Sequence, residues 1–108
     1  MRIYYCPQGR KGKFCDIEDS LKEMQKLVGG YIETLTVAPD LVVVCNEEGK
    51  LRGLKPNRWC KGDVICGNFF ICGIRDGEMC NFDKKYDDVI RACYEEPQYD
   101  GSGNRINM

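Results

Sequence analysis

At 108 residues the chain holds material for one hydrophobic core, which excludes a second independent domain. Hydrophobic residues at 43% and charged residues at 31% are the balance of an ordinary globular domain and exclude wholesale disorder or a fibrous repeat. With 16 Lys and Arg against 17 Asp and Glu, the formal charge of −1 argues against a surface given over to phosphate backbones, so direct nucleic-acid binding is not expected, although local basic patches are compatible with it.

Arg2 to Cys6 alternates and is rich in Ile and Tyr; Pro7-Gln8-Gly9 and Gly12 interrupt it, and Phe14-Cys15-Asp16-Ile17 follows, giving a strand, a turn and a strand. The turn carries Arg10, Lys11 and Lys13, which can touch a phosphate but read equally as solvated hairpin charges. Ser20 and Glu23 form a capping-box pattern, Leu21, Met24, Leu27 and Val28 recur on one helical face, and Gly29-Gly30 supplies a left-handed exit, so a helix is predicted over 20–28. Tyr31 to Ala38 suits a strand with one wet face, and Pro39-Asp40 ends it. Leu41-Val42-Val43-Val44-Cys45 is an unbroken apolar run, as a strand buried on both faces requires, and is expected at the centre of the sheet.

Glu47-Glu48-Gly49-Lys50 is turn chemistry, with Leu51 to Leu54 as a short returning strand and Lys55-Pro56-Asn57-Arg58 as a break in the sheet. Asp63 to Ile74 reads as one long strand with a bulge at Gly67, turned by Arg75-Asp76-Gly77. Asp83 to Glu95 reads as a helix capped by Asp83, with Tyr86, Val89, Ile90 and Cys93 on its apolar stripe, and Pro97 onward reads as a frayed tail. The order β-β-α-β-β-β-β-α, without a run of βαβ units, predicts an α+β domain over 1–96: an antiparallel-rich sheet of five to six strands packed with two helices, followed by a flexible tail over 97–108.

No window approaches the roughly 18 apolar residues of a membrane span, and Met1 to Cys6 lacks a signal-peptide apolar region, so a cytoplasmic protein without a membrane partner is expected. In that compartment the eight cysteines (Cys6, Cys15, Cys45, Cys60, Cys66, Cys72, Cys80 and Cys93) are expected to be reduced and to act as small apolar side chains; a disulfide scaffold is the competing reading. No Cys-x-x-Cys occurs, and if Cys66 and Cys72 share one strand they lie about 20 Å apart, so no metal site and no cofactor are expected.

Three stretches resemble a known family: Leu21 to Glu33 (LKEMQKLVGGYIE), Cys45 to Arg58 (CNEEGKLRGLKPNR) and Asp63 to Gly73 (DVICGNFFICG). It is a family of short proteins from phages, plasmids and conjugative elements, known only as a domain of unknown function. The resemblance runs from about Phe14 to Gly73 with order and spacing kept. It implies an accessory protein of a mobile element, of a kind often found beside antirestriction functions, in a bacterial host cell. Family members usually carry a longer acidic insertion before the segment that starts here at Asp63, and their pattern is not rich in cysteine.

With no His in the chain, cysteine or serine nucleophiles lack their usual base, and adjacent Glu47 and Glu48 do not make a metal-binding carboxylate cluster; no catalytic residues are assigned. Binding fits the residues better. Asn46, Lys50, Asn57, Arg58, Trp59 and Asp63 fall at the ends of apolar strands, where loops gather polar groups. Arg58 can grip a phosphate or carboxylate while Trp59 stacks or fills a partner's pocket, or Arg58 can simply pair with Asp63 at the surface. At an exposed site, loss of the Arg58 side chain is expected to cost within about 0.5 kcal/mol. The expected function is a non-enzymatic protein that counters a host defence by binding a protein effector or nucleic-acid complex. A sponge for a nucleotide or cyclic oligonucleotide signal, or a structural or regulatory module of a conjugative element, are the alternatives.

Overall fold

The computed structural model describes residues 1–106. Eight strands and two helices follow in the order β1 (Arg2–Cys6), β2 (Lys13–Asp16), α1 (Leu21–Val28), β3 (Ile32–Ala38), β4 (Leu41–Asn46), β5 (Pro56–Cys60), β6 (Asp63–Cys66), β7 (Phe69–Arg75), β8 (Glu78–Cys80) and α2 (Asp87–Tyr94). All strand pairings are antiparallel. The main sheet has six strands, with β2-β1-β7-β4-β3 side by side and β8 also paired to β7. β5 and β6 form a separate two-stranded ribbon. The expected α+β class, antiparallel sheet and two helices are all present.

Alternation along the strands feeds two cores. Tyr4, Cys6, Leu41, Val43, Cys45, Phe69 and Ile71 face one way and pack with Cys60 and Ile65 of the ribbon and Ile90 of α2. Ile3, Val42, Val44, Phe70 and Cys72 face the other way and pack on Met24 and Val28 of α1. Because both faces are covered, β4 is buried at every residue and β7 at its first five, which is why both segments read as continuous apolar runs. β4 lies between β3 and β7, in the sheet interior.

α1 begins at Ser20, whose Oγ accepts from the Glu23 amide at 3.2 Å, and ends at Gly29, left-handed at φ 78°. The other half of the capping box does not form, since the Ser20 amide donates to the Glu18 carbonyl. Leu21, assigned to the apolar stripe, is 57% exposed.

Several boundaries differ from the sequence reading. Leu51 to Leu54 is a turn and not a strand, and the segment expected to break the sheet, Lys55 to Arg58, instead enters β5 at Pro56. Pro56 is tolerated because it is the first residue of a strand outside the main sheet, where an amide is dispensable. Asp63 to Ile74 is two strands in different sheets, since Gly67 at φ 87° turns the chain from the ribbon into β7. Cys66 and Cys72 therefore do not share a strand. The second helix starts with a 3-10 turn over Lys84–Tyr86, whose first amides Asp83 caps, and only then becomes α-helical. Its buried side is carried by Tyr86, Ile90 and Tyr94 at four-residue spacing, while Val89 and Cys93 are exposed. Of the tail expected over 97–108, residues 107 and 108 lie outside the described residues; within 97–106 Tyr99 bridges Arg105, Gln8 Nε2 donates to the Asp100 carbonyl, and the Trp59 amide donates to Gln98 Oε1.

Candidate functional site

Of the six residues read from the sequence as one binding surface, two lie inside the protein, three meet in a cleft, and Trp59 stands apart from both groups. Asn57 and Arg58 stand in β5 with their side chains inside the protein, 1% and 0% exposed. Asn57 Nδ2 donates to the carbonyls of Cys6 and Gly67, both at 2.8 Å. Arg58 Nη1 donates to Asn57 Oδ1 at 2.6 Å and to the Pro7 carbonyl at 3.3 Å, and Nη2 donates to the carbonyls of Arg10 at 2.7 Å and Glu95 at 3.1 Å. The guanidinium thus ties the β1–β2 turn, the ribbon and the C-terminal end of α2 together, and its charge suits the helix end that it caps. Burial lowers its pKa from the ordinary arginine value. Arg58 Nε and the Tyr4 hydroxyl have no partner among the described residues, and burial raises the Tyr4 pKa to about 12.

This arrangement corrects the expectation of an exposed Arg58 gripping a ligand or pairing with Asp63. The β5–β6 register shifts between Pro56 and Arg58, which lets the adjacent Asn57 and Arg58 both turn inward, and ordinary alternation after it sends Trp59 to the other face. Trp59 is the one turned outward, 43% exposed, with its Nε1 donating to the Tyr99 hydroxyl at 3.2 Å.

The second group meets in a cleft of about 220 Å³ between the ribbon and the β3–β4 hairpin. Lys50 and Asp63 face each other across it, with Lys50 Nζ at 2.6 Å from both carboxylate oxygens. The hydrogen bond from Lys50 holds Asp63 below its usual carboxylate range, and the same bond raises Lys50. Asn46 lines the cleft but serves the fold: Nδ2 donates to the Val28 carbonyl at 3.1 Å, and Oδ1 accepts from the Glu48 amide at 2.8 Å. That second bond shapes the turn carrying Glu47, Glu48 and Lys50.

Three carboxylates not assigned from the sequence, Glu33, Glu47 and Glu48, also line the cleft. Glu33 lies opposite Cys45 in the β3–β4 register, on the face that the ribbon covers. Its place could be read from the strand alternation, but the ribbon that makes a cleft of that face could not. Leu51 stands at the rim, 88% exposed. The thiols of Cys45, Cys60 and Cys66 line the interior; burial pushes Cys45 up to about 11 and raises Cys66. Among the described residues, no three Cys, Asp or Glu side chains are gathered as a metal-binding group.

The arrangement is a concave, negatively biased site: one carboxylate is neutralised by Lys50, three others remain, and an exposed leucine stands beside them. No curated protein and no solved structure matches the chain. A family model does match, over residues 1–95, and the chain belongs to that family, described as a domain of unknown function, DUF3846.

Proposed function

We propose that this protein is a small, non-enzymatic accessory protein of a phage or other mobile element, and that it counters a host defence by binding a protein effector through the cleft between the β5–β6 ribbon and the β3–β4 hairpin. The observation that carries the reading is the cleft's lining, in which Glu33, Glu47, Glu48 and Asp63 face a single cation, Lys50. Such a surface takes the lysine and arginine side chains of a partner, and effectors that handle nucleic acid present many of them. Leu51 supplies an apolar anchor at the rim. A non-enzymatic role is supported by the sequence, which has no histidine to serve as base to the cleft's thiols. The sponge alternative loses its principal cation, because the Arg58 nitrogens Nη1 and Nη2 are already spent on groups inside the fold.

Native mass spectrometry of the protein purified from cells that naturally carry it tests the reading. The wild-type chain is expected to bring down a protein partner in stoichiometric amount, and a Glu47→Lys/Glu48→Lys/Leu51→Ser variant to come down without it. An empty monomer, a bound nucleotide in place of a protein, or a partner held equally by the variant overturns the proposed site. A partner with no part in defence overturns the proposed role.

A further inference from the structure

We propose that a second surface of this protein binds single-stranded nucleic acid. It consists of two open depressions that share Gln8 and Asn68 as a common wall, about 330 Å³ beside the end of α1 and about 470 Å³ beside the β1–β2 turn. Lys26 and Lys55 line the first, and Arg10, Lys11 and Lys13 line the second; neither has an Asp or Glu in its lining. All five cations are exposed. Among the described residues only Lys11 has a carboxylate partner, Glu96 at 3.2 Å, and both members of that pair are two-thirds exposed, so a phosphate can displace it at little cost. None of these residues lines the acidic cleft.

A row of cations over two adjoining hollows suits a repeating anion better than a single one. The walls between the charges suit bases: the half-buried Tyr5 ring lines the turn end, and Leu27 and Leu54 line the helix end. These aromatic and apolar walls offer stacking surface to unstacked bases, which a duplex keeps turned inward. The helix end is a place where carbonyls would repel phosphate, but those of Val28 and Gly29 are already taken by Asn46 and Arg52. The formal charge of −1 concealed this surface, because a net charge averages over a cleft and a groove of opposite sign.

Fluorescence anisotropy with a labelled oligothymidylate of about 15 nucleotides tests it. Binding is expected at about 50 mM salt, with log affinity falling against log salt at a slope of about −3, as four to five phosphate contacts to a single strand require. Lys26→Glu/Lys55→Glu and Arg10→Glu/Lys13→Glu are each expected to weaken it at least about tenfold, while Glu47→Lys/Glu48→Lys does not weaken it. Thermal melts confirm that the variants fold, and the glutamine pairs Lys26→Gln/Lys55→Gln and Arg10→Gln/Lys13→Gln each replace the corresponding pair if it does not. Absence of binding, equal affinity for a duplex of the same length, unchanged affinity in both cation variants, or capture of anionic phospholipid vesicles without the oligonucleotide overturns the proposal. The partner-capture experiment on the acidic cleft is independent of all these outcomes.

Discussion

Arg58 is the residue at which sequence and structure part most sharply. Beside a tryptophan and after a proline it reads as an exposed recognition residue, yet it is wholly buried and its bonds run to the carbonyls of Pro7, Arg10 and Glu95 and to Asn57 Oδ1. The Pro7 and Glu95 carbonyls also accept from the Arg10 and Gly12 amides, at 3.3 Å and 2.8 Å, but the Arg10 carbonyl and Asn57 Oδ1 take their hydrogen bond from the guanidinium. Truncation to alanine strands those two acceptors and opens a large cavity, so Arg58→Ala is expected to cost about 3 kcal/mol or more, far above the range of about 0.5 kcal/mol of an exposed site. Arg58→Lys, with a single point of donation, is expected to fall between wild type and alanine. Urea unfolding measures both. A loss within about 0.5 kcal/mol for the alanine variant would mean that the guanidinium lies outside the fold after all.

At the scale of elements, Gly67 does what the sequence could only hint at. The residues on both sides of it are apolar, so periodicity runs across the position without a break, but a φ of 87° there sends β6 and β7 into different sheets. The space is also closed: a β-carbon would lie 2.7 Å from Leu54 Cδ1, whereas at Gly62, with φ of 82° in the Lys61-Gly62 turn, nothing lies within 4 Å. Gly62→Ala is therefore expected to cost the backbone conformation alone, about 1–2 kcal/mol, and Gly67→Ala clearly more, because Leu54 must move as well. Equal midpoint shifts in chemical denaturation would mean that the Leu54 contact yields freely. What was legible follows the same physics. β4 and the first part of β7 announced themselves because both faces are covered, and α1 because Ser20 and Gly29 cap it. β8, three residues long, is too short to show a period, and Pro56 disguised the start of β5. The same error divided the site: Asn46, Lys50 and Asp63 do converge, but without β5 as a strand and its register shift between Pro56 and Arg58 there was no reason to send Asn57 and Arg58 inward and Trp59 outward.

For the whole molecule, the question is whether the ribbon is a separate unit, since it supplies one wall of the acidic cleft and is not hydrogen-bonded into the main sheet. Packing answers against separation. Cys60 and Ile65 of the ribbon share a core with Val43 and Cys45 of β4, and with Tyr4, Phe69 and Ile71 from the neighbouring strands. Arg58 and Asn57 add bonds from β5 to the β1–β2 turn, to Cys6 and to the end of α2, so peeling the ribbon away exposes a hydrophobic face and strands buried polar groups together. Trp59, the single tryptophan, sits on the ribbon and reports on it by fluorescence, while far-ultraviolet circular dichroism reports chiefly on the main sheet and helices. The two signals are expected to give one coincident transition in heat and in urea, as a two-state domain does. A fluorescence transition that precedes the dichroic one would make the ribbon a unit able to open by itself, and the cleft would then be a hinged site.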